Sequence, residues 1–396
     1  MSRFLQPMDK TFRNVSIVGI GQIPVQKKND LSLREMGVKA MQLAMEDAGV
    51  DTVDAVFVGN MLGDELQNQK HLAALIASAA GLRGVEALQV QAATATGAAA
   101  LRMAYFAVAS GEARRAIALG VEKMSAAPPE VVTAAIAKAL DAERETPLGW
   151  TMLKQNARLM QLYMERYQVP ASAFNGFALT AHANAFSNPY ALFVGKQITP
   201  EMIDQSRVIH APLRLYDAAP ICDGAAAVLL TRTDEARAYT DQPVNILSSS
   251  VATDWFCVDD RPKPLELYAV RRSALEAFRK ANVHRSDIDV FELHDAFSIM
   301  ACLTLEAVGF APAGHGWRMA AEGQIGLHGS LPIATLGGLK GRGHPIGATA
   351  LYQTSEIVLQ LTGKAGANQV QNPQKAMLVS VGGAASTVLT HIFGVE

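Results

Sequence analysis

The chain has 396 residues, 49% of them hydrophobic, and its 35 Lys and Arg against 37 Asp and Glu leave a net charge of −2. That length suits two to three domains or one large α/β unit with ample core. The charge balance excludes a broad basic surface for nucleic acid and a polybasic membrane anchor, and leaves open only a small local basic groove for a phosphorylated ligand.

In chain order, VSIVGIG (15–21) reads as a short buried strand. LREMGVKAMQLAMEDAGV (33–50) sets Met36, Ala40, Leu43 and Ala44 on one helical face, and Gly49 closes it. VDAVFVGN (53–60) is a strand, AAALRMAYFAVASG (98–111) a helix stopped by Gly111, and RRAIALGVEKM (114–124) a strand. Over roughly 125–215 the alternation breaks. Pro128, Pro129 and Pro147 mark loops there, between segments of helical pattern. The strand CDGAAAVLLTR (222–232) follows, then VNILSSSV (244–251) as strand, 267–283 as helix, and IDVFELHDAF (288–297) as a strand ending in a polar turn. GHPIGATALYQTSEIVLQLTG (343–363) carries a helix, and KAMLVSVGG (375–383) reads as the last central strand. The order helix, turn, strand, polar end occurs in both halves, which indicates an internal duplication. Buried strands alternating with helices imply a layered α/β architecture, with ligands at the carboxyl ends of strands.

The three cysteines, Cys222, Cys257 and Cys302, are scattered without zinc or disulfide spacing and read as small core residues. No apolar run is long enough to span a membrane. MSRFLQPMDKTFRN is too weakly basic for a transit peptide and FGVE is no peroxisomal signal, so the expected compartment is the cytoplasm, with the mitochondrion as alternative.

Four segments have the composition of a reactive site. QAATATG (91–97) enters a helix, whose unpaired N–H groups and partial positive charge favour a nucleophile or an oxyanion; tight helix packing explains its alanines equally well. ELHDAFS (292–298) ends a strand in His294 beside Asp295. LGGLKGRGHPIGATA (336–350) is a glycine-rich loop that presents His344, stiffened by Pro345. It fits neither phosphate-loop pattern. SVGGAAS (380–386) ends a strand in a Gly-Gly pair able to supply oxyanion donors or merely to bend the chain.

GGLKGRGHPIGATA resembles the histidine loop of the thiolase superfamily, and ELHDAFS resembles the His-Asp-Cys-Phe segment of its sterol-carrier-protein-type and archaeal-type branches. AATATGAAALRMAYFAVASGEARRAIALGVEKM is similar to the segment that bears the nucleophilic cysteine, and PICDGAAAVLL to another stretch common in these enzymes. The resemblance covers nearly the whole chain. It implies a duplicated five-layered α-β-α-β-α fold with a mostly helical insertion: one half from 1–124 plus 216–236, an inserted cap from 125–215, and a second half from 237–396.

The resemblance also implies CoA thioester substrates with no permanently bound cofactor and no metal. A homodimer is implied as well, and a small OB-fold and zinc-ribbon partner is a further candidate. Carried over position by position, His344 and His294 would surround an enolate oxygen, and the N–H groups of Thr94 and Gly382 would form a second oxyanion hole. Gly343, Asp295, Phe297, Ser380, Gly383 and Gly347 would line the substrate. The family's Cys-Ala-Ser-Gly reads Thr94-Ala95-Thr96-Gly97 here, and Ala296 stands where the branch often has cysteine. Ser380 occupies the place of the acid/base cysteine of other thiolases. A threonine hydroxyl needs an adjacent base to attack at all. The expectation is therefore carbon–carbon bond making or breaking by enolate stabilisation, aldolase- or decarboxylase-like. The alternatives are an acetyl-CoA acetyltransferase with an atypical nucleophile, and a non-catalytic acyl-CoA-binding or scaffold subunit.

Overall fold

A computed structural model describes residues 12–395. The segments on which the targeting readings rest lie partly outside them. The first half runs β1 (Val15–Gln22), α1 (Leu33–Asp47), β2 (Ala55–Gly59), α2 (Gly63–Leu66), α3 (Leu72–Ala79), β3 (Glu86–Val90), α4 (Thr96–Ser110) and β4 (Arg115–Lys123). The chain then leaves the sheet through α5 (Pro129–Ala137), α6 (Met152–Tyr167), α7 (Asn175–Ala185), α8 (Pro200–Asp204) and a short hairpin, β5 (Val208–His210) with β6 (Leu213–Arg214). It returns as β7 (Asp223–Arg232), followed by α9 (Thr233–Ala236), β8 (Val244–Thr253), α10 (Tyr268–Ala281), β9 (Val290–Leu293), α11 (Ser298–Val308), α12 (Gly316–Ala321), α13 (Thr349–Leu361), β10 (Lys375–Gly382) and β11 (Thr387–Gly394).

The main strands line up as β3-β2-β4-β7-β1-β8-β11-β10-β9. Each half repeats one pairing scheme. β2 is parallel to β4, and β7 is antiparallel to both β4 and β1. Likewise β9 is parallel to β10, and β11 is antiparallel to both β10 and β8. The counterpart of β3 is reduced to a single parallel bridge between Phe291 and Ile333. Within the sheet, Ser16 opposite Asn245 and Ile17 opposite Val244 join the two halves. The duplication is thus a property of the topology.

Apolar runs along the strands follow from burial on both faces. In β7, Ala225, Ala227 and Leu229 face the core under α1 and α3, whereas Ala226, Val228 and Leu230 face the middle. In β10, Met377, Val379 and Val381 face the core under α10 and α11, whereas Ala376 and Leu378 face the middle. The middle layer holds α4 and α13, through residues such as Leu101, Ala104, Leu351 and Ile357. Helix, sheet, helix, sheet, helix is the resulting order of layers.

Local chemistry sets the helix ends. Ser32 caps α1 and is answered by Glu35 in a reciprocal capping box. Gly111 closes α4 at φ 87°. Several elements escape the sequence reading, among them α3, β3, α11, α12 and β11. The 375–382 strand is not the last central one, since β11 follows it and lies between β8 and β10. Pro129, expected in a loop, occupies the first position of α5, where a missing N–H costs nothing. Among the described residues no helix is long and apolar enough to cross a membrane.

Candidate active site

His294 follows the carboxyl end of β9, and His344 lies in the loop that leads into α13. Their rings meet edge to face, with centroids 5.1 Å apart and planes at 86°. Both are buried. Burial lowers the His294 pKa to about 4, with the Asp295 carboxylate opposing the shift. Burial, then His294, then Arg342 push His344 well below the ordinary imidazole value. The pair is therefore neutral at physiological pH.

The His344 loop is anchored from several directions. Gly337 accepts from the amides of Gly341 and Arg342, closing a wide turn, and Leu192 donates to the Arg342 carbonyl. Gly343 has φ 112°, a conformation L side chains rarely adopt. The His344 amide donates to the Cys222 sulfur at 3.1 Å. Thr349 Oγ1 donates to the Pro345 carbonyl at 3.2 Å and lies 2.7 Å from His344 Nδ1. With its hydrogen on Pro345, that oxygen accepts from His344. In that arrangement the imidazole proton sits on Nδ1 and Nε2 keeps its lone pair. On His294, Nδ1 has no hydrogen-bond partner among the described residues.

Thr94 sits just before α4, after Ala93, whose φ of 49° is strained for alanine. The Thr94 hydroxyl donates to the Val381 carbonyl at 2.6 Å, which ties this loop to the end of β10. Next to Val381 come Gly382, whose carbonyl accepts from the Ser386 amide at 3.2 Å, and Gly383 with φ 63°. Ser380 is fully buried in β10, and its hydroxyl has no partner among the described residues. Thr94 and the Gly-Gly turn thus meet, as do the two histidines.

Other expected substrate residues lie further back. The Asp295 carboxylate accepts from the Leu339 amide at 2.7 Å and faces Lys340 at 3.5 Å. Its carbonyl also accepts from Lys340 Nζ at 2.6 Å, so Asp295 holds the glycine loop in place. The amide of Gly347 donates to Glu122 at 2.9 Å. The carbonyl of Gly347 lies so close to Gly59, Gly97 and Gly120 that a Cβ on each would come within 3.2, 2.8 and 2.4 Å of it. The small residues around Gly97 thus serve helix packing in the middle layer. Phe297 is half-buried at the entrance to α11, its backbone bridged to Ala218.

Sequence reasoning passed over a buried charged group behind the histidines. Arg342 pairs with Glu356 at 2.6 Å, both side chains being almost wholly buried. Glu292 accepts from the Thr335 amide and hydroxyl at 2.9 and 3.0 Å. Burial lifts the Glu292 carboxyl to about 7; burial also raises the Glu356 carboxyl, while the adjacent Arg342 guanidinium opposes that rise and favours its charged form. Signals were present: two cations within a glycine-rich loop, and single acids within the apolar runs VFEL and SEIVLQL. Cys222, read as plain core, is also an anchor of the His344 backbone. Two surface concavities lie elsewhere, one along α1 and one of about 490 Å³ lined by Arg166, Lys263, Arg271 and Arg285.

The thiolase N-terminal domain matches residues 15–212, and the thiolase C-terminal domain-like family matches 251–395. An acetyl-CoA acetyltransferase of Methanothermobacter thermautotrophicus is 40% identical over 96% of this chain and 99% of its own length. Sterol carrier protein 2 of Gallus gallus is 30% identical over 96% of this chain and 71% of its own. Among solved structures, the Ltp2-ChsH2(DUF35) aldolase superposes with a TM-score of 0.83 at 23% identity, covering 96% of this chain and 98% of that one. Human mitochondrial 3-ketoacyl-CoA thiolase gives 0.76 at 17% identity, covering 97% and 99%. These structural matches are likenesses of fold.

Proposed function

The chain belongs to the thiolase superfamily, and on that premise we propose that it makes or breaks a carbon–carbon bond beside a CoA thioester without an acyl-enzyme intermediate. The observation that carries this reading is the Thr94 hydroxyl. Its proton is committed to the Val381 carbonyl, and the resemblance of its segment to the family's pattern sets it at the cysteine's position. A thiol with a pKa of about 8.5 is readily ionised by its surroundings, whereas a threonine hydroxyl is not. Thr94 then serves as a polar wall or oxyanion-hole residue.

Cleavage of a β-hydroxyacyl-CoA needs one base and a site for an enolate. His344 Nε2 takes the β-hydroxyl proton. The Cα–Cβ bond breaks, its electron pair passes into the thioester enolate, and the former hydroxyl oxygen becomes a carbonyl. Nε2 now bears a proton beside the enolate oxygen, which an N–H of His294 also holds. Returning that proton to Cα releases the shortened acyl-CoA and regenerates neutral His344. The strongly depressed pKa of His344 favours that return. Condensation is the same path reversed, and decarboxylation would use the same enolate site. We further propose a homodimer and allow for a small OB-fold and zinc-ribbon partner protein.

A second reading, thiolysis with Thr94 as nucleophile, has the name of the 40% identical relative in its favour. An assay separates the two: β-hydroxyacyl-CoA esters in one arm, acetoacetyl-CoA with CoA in the other, and His344→Ala as control in both. Cleavage confined to the first arm supports the proposal. Thiolysis at an enzymatic rate in the second defeats it. If every ester binds and none reacts, the chain is an acyl-CoA-binding or scaffold subunit.

A further inference from the structure

We infer that Glu356, acting through Arg342, is a positioning residue for His344. The inference rests on His344 being the base proposed above. Arg342 precedes His344 by two residues in the same loop and is fully buried. Its side chain donates through Nη1 to the carbonyl of Gly343 at 3.1 Å, the peptide that delivers His344. The guanidinium lies 4.9 Å from the centroid of the Tyr352 ring and pairs through Nε with Glu356 at 2.6 Å. Tyr352 is itself fixed, donating to the Ile23 carbonyl at 2.6 Å and accepting from the Ala225 amide at 3.0 Å.

Glu356 and Tyr352 lie one turn apart on α13, the helix that begins with Thr349. A single rigid element therefore grips both ends of the His344 peptide unit. Thr349 holds the ring through Nδ1, and Glu356 holds the preceding carbonyl through Arg342. Without Glu356 the guanidinium is a buried charge lacking its counter-ion, and it would turn away from Gly343 toward Glu292 or Asp295. Loss of a fixed geometry in a catalytic group costs rate more than ground-state binding.

The test compares Glu356→Gln with the paired substitution Arg342→Met together with Glu356→Leu. Breaking a buried ion pair by removing one partner is strongly destabilising, whereas replacing both partners by apolar groups of similar volume is often neutral. The readouts are the melting temperature, kcat and KM for the ester that the wild type cleaves, and the ¹⁵N shifts of His344 in histidine-labelled protein, assigned by their absence in His344→Gln. Glu356→Gln is expected to lower kcat by about 10- to 100-fold, with little change in KM, and to displace the His344 resonances. The paired substitution is expected to recover the melting temperature while kcat stays low and the resonances stay displaced. Recovery of kcat and of the wild-type resonances along with the melting temperature would overturn the inference, because the pair would then be structural only. So would unchanged His344 resonances in Glu356→Gln. A wild type that cleaves no ester defeats the functional reading alone, since the resonances still decide this one.

Discussion

The rings of His294 and His344 stand edge to face with centroids 5.1 Å apart, one on the end of a parallel strand and the other on a loop pinned to four separate segments. His344 Nδ1 lies 2.7 Å from Thr349 Oγ1, whereas His294 Nδ1 has no partner among the described residues. The two histidines should therefore fail differently when replaced. On the proposed mechanism His344→Ala removes the base and is expected to lower kcat by about 10²- to 10⁴-fold. On the same mechanism His294→Ala removes an oxyanion donor and is expected to cost about 10²- to 10³-fold in kcat. Steady-state kinetics on the cleaved ester, with CoA affinity measured in parallel, checks both.

Thr349→Val tests the tautomer directly. Without the hydroxyl, the Nδ1 proton loses its acceptor and the ring can carry it on Nε2 instead. The expected result is a fall of about 10-fold or more in kcat. Thr349→Ser, which keeps the hydroxyl, should stay within a few-fold of wild type. Equal losses in both variants would remove the hydroxyl from the account.

Burial sets the pH behaviour. His294 titrates at about 4 instead of 6.5 when folded. An unfolded chain takes up protons below 6.5 that the folded chain refuses, so this contribution to stability is complete above 6.5 and falls away as pH drops toward 4. Glu292 acts in the opposite sense. Its folded pKa near 7 lies above the ordinary 4.5, so its contribution is complete below 4.5 and is lost as pH rises through 7. Above pH 6.5 only the Glu292 contribution is still being lost, so the melting temperature should fall as pH rises from 6.5 through 7. Activity should not drop at the ordinary imidazole pKa, and kcat/KM is expected to be flat from about pH 7.5 down to about pH 5.5. A tenfold loss centred near 6.5 would show that the two imidazoles are not buried as described.

The packing at Gly347 gives a stability prediction. A Cβ there would lie 2.9 Å from Asn60 Cα, Glu122 Oε2 and the Gly59 carbonyl alike. Gly347→Ala should therefore destabilise the protein by about 1–3 kcal/mol, as overpacking does, seen as a lower denaturant midpoint. Gly363→Ala is the contrast: its φ of 70° is strained, but a Cβ there meets open space. Its cost should be about 1 kcal/mol.

Periodicity and glycine placement made most of the layered fold legible, because the runs in β4, β7 and β10 are buried on both faces. β3 was not legible for the opposite reason. EALQV lies at a sheet edge, three of its five residues are exposed, and it carries no apolar run. The two histidines could be named from their turns, but their meeting is a product of tertiary packing between β9 and the loop before α13. The Thr94–Val381 contact spans 287 positions in sequence, which no local pattern encodes. The charged group was hidden differently. Lys340 and Arg342 look like surface cations in a loop, yet the glycines around them let the backbone fold tightly enough to bury both.

Thr94 is where the account is most exposed. The direct measurement is the intact mass of the protein, sampled by rapid quench while it turns over a β-hydroxyacyl-CoA and then acetoacetyl-CoA with CoA. The account predicts product from the first ester, no thiolysis of the second, and an unmodified protein mass throughout. An acyl adduct mapped to Thr94, formed and discharged at the rate of turnover, would contradict it.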